Sequence, residues 1–419
     1  MCWRASLSEP SEEGEVAMPH CVYAASALCW TRSPLACLRE AVRLFTTGEI
    51  VPKGSQKKLQ ERHAGQGNLA FGDEAISPRR PPSTRYQGSK LKLIPWILDS
   101  VRELSFHTVL DAFGGTGVVS YAFKSIGKAV TYNDYLDFNR VVGLALVANQ
   151  TTRLSDDDID FVLRRHSNVA YDDFIARSFS GVFFTDAENE WLDTAVQNIH
   201  CIDDPIKQAV AFYAIFQSCI IKRPYNLFHR ANLYMRLSEV TRSFGNKTTW
   251  DAPFENHFRY FVDEINRHVF DSGVECAAVC HDATQVPGAF DLVYVDPPYV
   301  NKAGAGVDYL DFYHFLEGVL DYRNWGDRLD RKRKHMPLRG GRSPWSSSET
   351  IHTAFRDLLA RFSESTLVVS YRSDGIPSEQ DLMEMVRAVK GDVRLLRYGG
   401  YKYALSKNTS SQEVLIVGT

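Results

Sequence analysis

The 419-residue chain contains no run of 18 apolar residues, which excludes a membrane-spanning helix. Its eight cysteines form no C-x-x-C pair and no histidines complete a zinc set, so neither a metal site nor a metal-stapled fold is expected. Net positive charge is also absent: 48 Lys and Arg stand against 51 Asp and Glu, a balance of −3. The chain therefore cannot coat a polyanion by charge alone, and any such contact requires local concentration of basic residues. No basic stretch precedes the mildly apolar residues 18–30, so a secretory signal is not expected. The cysteines, scattered through a chain of this size, read as reduced thiols of a cytoplasmic protein. Internal repeats are absent. What remains is ordinary globular material. Apolar residues make up 44% and charged residues 24%, and 24 Phe, 19 Tyr and 7 Trp can fill a large core without staples. The length fits two to three domains, or one large α/β domain with an insertion.

Residues 1–82 follow no sustained period and end in the stiff run Ser77-Pro78-Arg79-Arg80-Pro81-Pro82. They read as an extension, with one short helix expected at 36–46 and Met18 as an alternative start. Beyond Pro82 the pattern sharpens. An amphipathic helix is expected over 90–104, a buried strand over 108–113, a helix over 117–126 after a glycine turn, and a second strand over 129–134. This is a βαβ unit with parallel pairing. Residues 151–270 turn helical, with strong helices at 205–221 and 254–270. Strands return at 277–280, 292–295 and 366–371, followed by a helix at 378–390. Two final runs, 393–398 and 413–417, are expected to close an antiparallel edge. The division predicted is therefore 1–82 as extension, 83–150 with 271–419 as an α/β domain, and 151–270 as a helical insert.

Two motifs carry chemistry. In Asp111-Ala112-Phe113-Gly114-Gly115-Thr116-Gly117, glycines directly after a strand let the backbone approach a ligand and open a helix N-terminus. Asp134 ends the next strand, where a carboxylate accepts hydrogen bonds from ribose hydroxyls. Ser120 replaces the third glycine of a dinucleotide fingerprint, and these features alone fit a nicotinamide-dependent oxidoreductase as well. The second motif, Asp296-Pro297-Pro298-Tyr299, follows a buried strand. The prolines fix the backbone, so an acceptor and a ring are held rigidly on the ligand-binding edge of the sheet. That pair suits a planar base bearing an exocyclic amine.

Asp-Pro-Pro-Tyr after such a glycine turn resembles the catalytic motif of amino-methylating DNA methyltransferases. Tyr86-Gln87-Gly88-Ser89-Lys90 resembles the N-terminal cofactor motif of the Dam-like N6-adenine family. The order of cofactor motif, glycine loop, recognition insert and catalytic motif is that family's alpha arrangement, over residues 84–419. The resemblance implies a Rossmann-like S-adenosylmethionine-dependent methyltransferase fold, with a mostly parallel sheet and a helical target-recognition insert. It implies S-adenosyl-L-methionine as cofactor and double-stranded DNA as substrate, methylated at N6 of a flipped-out adenine. It also implies a restriction–modification setting with a cognate endonuclease as partner. By the same resemblance Tyr86, Lys90, Phe113, Gly115, Gly117, Asp134, Asp282 and Asp296 bind cofactor, Lys90 near its carboxylate and Asp282 at the adenine amine. Asp296, Pro297, Pro298 and Tyr299 form the catalytic set. Cytosine N4, RNA or a protein glutamine remain rival acceptors. The oxidoreductase reading leaves Asp296–Tyr299 without a role. The insert matches none of the best-known members, so the target sequence is left open, as is the oligomeric state.

Two basic segments supply the local charge. Residues 222–247 hold six Lys or Arg and one acid, interleaved with aromatics and Asn. Arg reads guanine and Asn reads adenine, so Lys222, Arg223, Tyr225, Asn226, His229, Arg230 and Arg236 are expected to meet DNA. Residues 328–342 hold seven Lys or Arg and one acid, centred on Arg331, Lys332, Arg333 and Lys334. Flanking glycines and a proline make this a mobile loop, suited to phosphates rather than to sequence choice.

Overall fold

The apolar runs pair as their parallel character requires. In the computed structural model the described residues are 78–239, 247–341, 343–399 and 411–419. The chain divides into two units, Met1–Gln66 and Gly67–Thr419, and every described residue lies in the second. The helix expected at 36–46, Met18 and four of the cysteines fall outside the described residues. Among the described residues nine strands form: β1 (Thr108–Asp111), β2 (Ala129–Asp134), β3 (Ala277–Cys280), β4 (Leu292–Val295), β5 (Val300–Asn301), β6 (Thr366–Arg372), β7 (Gly375–Ile376), β8 (Val393–Tyr398) and β9 (Glu413–Gly418). Seven make one sheet in the order β3-β2-β1-β4-β6-β9-β8, and β5 pairs with β7 in a separate two-residue ladder. The first five strands run parallel; β9 is antiparallel to both β6 and β8. The two final runs thus close an antiparallel edge as expected, with β8 outermost and β9 between it and β6.

Alternation sorts the strands between two layers. Val109, Leu292, Tyr294, Val368, Leu415 and Val417 face one core, which continues without a break into the insert helices. Leu110, Val293, Val295, Leu367, Val369 and Ile416 face the other, under the helices Ile351–Arg361 and Glu379–Arg387. All the helices from Asp137 to His268 lie in the connection between β2 and β3, so the helical segment begins before residue 151. Pro205–Ile221 forms as expected: Pro205 occupies the first turn and Asp204 Oδ1 accepts from the amides of Ile206 and Lys207 at 2.8 and 3.0 Å. The helix expected over 90–104 is shorter, Ile94–Ser100 after a single 3₁₀ turn. The helix Tyr309–Leu320 was not anticipated. Among the described residues no helix is long and apolar enough to cross a membrane.

Candidate active site

The direction of winding reverses at β1: β2 and β3 are laid down on one side, β4 and β6 on the other. Ligands of open α/β sheets bind beyond the strand ends at such a switch point. A cleft of about 1310 Å³ opens there. It brings together the segment 84–92, the glycine loop, Asp134, Asp282 and Asp296–Tyr299, which are spread over more than two hundred residues of sequence.

At one end the ammonium of Lys90 is held 2.8 Å from Asp296 Oδ1 and 3.1 Å from Glu413 Oε1, and donates to the Tyr299 hydroxyl. Tyr299 Oη lies 3.1 Å from Asp296 Oδ1 and 2.8 Å from Glu413 Oε1, with its one proton to donate. Ser370 Oγ on β6 donates to Glu413 Oε1 at 2.7 Å. Lys90 and Glu413 are buried, whereas 15% of the Asp296 side chain reaches the cleft. Burial pushes the Asp296 carboxyl up to about 6; Lys90 opposes the rise and Glu413 adds to it. Lys90 is therefore in the expected cleft, but its charge is directed at the Asp-Pro-Pro-Tyr segment. Sequence reasoning missed Glu413. The one available signal was an acid heading the otherwise apolar run Glu413-Val414-Leu415-Ile416-Val417.

Beyond the neighbouring strand β1 the glycine loop is fixed from below. A Cβ on Gly114 would stand 2.1 Å from the Tyr132 ring, and one on Gly143 2.5 Å from the same ring, so the aromatic is seated between two glycines. Tyr132 Oη donates to the Gly115 carbonyl at 2.8 Å. Gly115 has φ +48° and lines the cleft; a Cβ there would reach only Phe113 O and Tyr86 Cε1, at 3.9 Å. Gly117, with φ +72°, caps the helix Val118–Ser125 and packs near Leu146; it does not line the cleft, contrary to expectation. Asp134 accepts from the amides of Gly115 and Leu136, each at 2.9 Å, and the Asn139 side chain and Tyr135 amide also approach its carboxylate. Asp111 accepts from Ser120 Oγ at 2.7 Å through one oxygen, while its buried Oδ1 has no partner among the described residues. Burial raises its carboxyl to about 7, with Asp296 and Asp134 adding to the rise. Phe113 meets Trp345 edge-on, with ring centroids 4.8 Å apart. Tyr86 stacks on Tyr313 at 4.2 Å. Asp282 caps a 3₁₀ turn through Thr284 and lines the cleft.

The basic insert is a different matter. Lys222, Arg223 and Arg236 are 0%, 1% and 4% exposed, and their donors point inward. Arg223 donates to the carbonyls of Leu227, Phe183 and Arg230 at 3.2, 3.0 and 2.9 Å and to Asn232 Oδ1. Lys222 and Arg236 both pair with Glu188, at 2.8 and 2.7 Å. The expectation that these three meet DNA is overturned: they hold the insert together from within. A basic run with interleaved aromatics looks alike in sequence whether its cations face solvent or carbonyls. Arg223 instead shapes the loop that carries Tyr225 and Asn226 to the rim of the cleft. Both have positive φ, +61° and +60°, unusual for residues with side chains, and Tyr225 is 52% exposed. Arg230 is exposed, and His229 is half-buried against Phe312. Arg331, Lys332, Arg333 and Lys334 are all exposed. Their loop is an ordered turn, closed by the Leu329–Leu338 bridge and by Arg333 pairing with Asp311 at 3.2 Å.

Residues 86–374 match the family model described as D12 class N6 adenine-specific DNA methyltransferase. Type II methyltransferase M2.HphI of Haemophilus parahaemolyticus is 31% identical over 246 residues, 57% of this chain and 71% of that protein. Modification methylase StsI of Streptococcus sanguinis is 26% identical over 352 residues, 79% of this chain and 51% of that protein. Type II methyltransferase M.NlaIII of Neisseria lactamica is 22% identical over 342 residues, 77% of this chain and 94% of that protein. The chain thus spans about half the length of some of these relatives and nearly all of others.

Proposed function

Because the chain belongs to the D12 class N6 adenine-specific DNA methyltransferase family, we propose that it methylates N6 of an adenine extruded from double-stranded DNA, as the modification enzyme of a type II restriction–modification system. One observation carries the reading: the glycine loop and Asp296–Tyr299 line a single cleft. S-adenosyl-L-methionine, when bound, supplies a sulfonium-activated methyl group, so no covalent enzyme intermediate is needed. The residues fit such a molecule. Asp111 offers a buried acceptor without a partner among the described residues, suited to the ammonium of an amino acid. Asp134 lines the cleft at the end of β2, the place for ribose hydroxyls, and Phe113, Tyr86 and Gly115 give the cleft an apolar wall.

The adenine amine is a poor nucleophile because its lone pair is delocalised into the ring. Asp296 and the backbone carbonyl of the Pro297 region accept its two N–H bonds and localise that pair. They also stabilise the positive charge that develops on nitrogen. Tyr299 presents a ring to the base. A base inside a duplex cannot reach this cleft, so extrusion is required, at a cost of a few kcal/mol; one aromatic stack returns about 1–3 kcal/mol. Tyr225 and Asn226, at the rim, and exposed Arg230 face the duplex. Expression in a host free of adenine methylation, followed by single-molecule sequencing, is expected to show methylated adenines in one short sequence context. Genomic DNA without modified adenine refutes the reading.

The turn at 331–334 meets the phosphate backbone. Neutralising these four residues is expected to flatten the slope of log affinity against log salt by roughly 0.9 for each phosphate that is no longer neutralised. An unchanged slope removes the turn from the interface.

A further inference from the structure

We propose that Glu413 is a positioning residue for methyl transfer: a buried second carboxylate on β9 that anchors the Tyr299 hydroxyl and the Lys90 ammonium, and whose charge faces Asp296. The proposal deepens the reading above and rests on Asp296 being the acceptor of the amine protons.

The geometry is specific. Glu413 Oε1 takes Tyr299 Oη at 2.8 Å, Lys90 Nζ at 3.1 Å and Ser370 Oγ at 2.7 Å, and the residue is fully buried. Three separate parts of the chain are thereby referred to one oxygen: the segment before the first helix, the catalytic segment after β4, and β6. Stability alone does not call for this acid. Lys90 and Asp296 neutralise one another, and a further carboxylate leaves surplus negative charge in a buried place, which costs free energy. Surplus charge of this kind is characteristic of sites where it is used. Here it faces the position at which the amine nitrogen becomes cationic. It also holds the Tyr299 hydroxyl, so that the ring keeps one orientation while a base enters. The groups facing Asp296 are Lys90, Glu413 and Tyr299, with Asp111 on β1, Tyr294 on β4 and Tyr371 on β6; Lys90 is the cation among them.

The test is Glu413→Gln, which keeps the size and an acceptor oxygen but removes the charge, with Glu413→Ala beside it. Loss of a negative neighbour makes ionisation of Asp296 easier. The acid limb of the kcat–pH profile is therefore expected to move to lower pH in Glu413→Gln. The Asp296 carboxyl resonance, followed by ¹³C NMR in protein without ligands and identified by its loss in Asp296→Asn, should move the same way. Glu413→Ala, which also frees Tyr299, is expected to lose about ten- to a hundredfold in kcat, with Glu413→Gln recovering part of it and S-adenosylmethionine binding little changed. An acid limb and a resonance that stay in place in Glu413→Gln overturn the proposal, whatever happens to thermal stability. If they stay while Asp296→Ala still abolishes transfer, only the role of Glu413 fails. If Asp296→Ala is active, the underlying reading fails first.

Discussion

Asp296→Ala is expected to lower kcat by about a hundred- to a thousandfold, the range seen when one preorganised group that stabilises developing charge is removed. The effect belongs in kcat because the carboxylate is directed at the amine, whose positive charge develops only during transfer. Binding of S-adenosylmethionine, measured by calorimetry, should remain near that of the unmodified protein. Asp296→Asn separates charge from shape: the amide fills the same space and can accept one hydrogen bond, but it returns no charge. Tyr299 gives a graded companion series. Tyr299→Phe keeps the ring and loses the hydroxyl tied to Glu413 and Lys90, so it should be impaired less than Tyr299→Ala, which loses both. Methyl transfer by Asp296→Ala at a near-normal rate refutes the assignment.

Arg223→Ala is expected to destabilise the fold by about 3–5 kcal/mol, through the missing side-chain packing and the acceptors left without a donor. Three carbonyls and Asn232 lose their partner at once, and the guanidinium also leaves the face of Phe183, 4.5 Å away. The melting temperature should fall by on the order of 10 °C. Arg223→Lys should rescue little, because a single ammonium cannot span the four acceptors that the planar fork reaches. A DNA-reading arginine behaves in the opposite way: its loss spares the melting temperature and relaxes the sequence recognised. Retained melting temperature with altered sequence choice would return Arg223 to the DNA interface.

The contrast shows where the sequence is informative. Strands such as Leu292–Val295 were legible because burial on both faces leaves a short apolar run bounded by turn signals. The motifs were legible because glycine and proline impose backbone constraints that are local. Tyr309–Leu320 was hidden because Tyr, Phe, Leu and Val dominate it, with only Asp311, His314 and Glu317 marking a narrow polar stripe. Glu413 was hidden for another reason. Its role depends on β9 lying directly beside β6, which brings Glu413 to Ser370 and the catalytic segment, a neighbourhood that no local pattern records. The buried cations were misread because charge is visible in a sequence and its partners, here carbonyl oxygens and Glu188, are not.

The ring of Tyr132, lodged beneath Gly114 and Gly143 and tied to Gly115, has a thermodynamic corollary. A loop clamped from its inner side has surrendered its freedom during folding, so it has little left to lose when a small molecule arrives. Recognition at that end of the cleft is then governed by contacts and expelled water instead of by an ordering penalty.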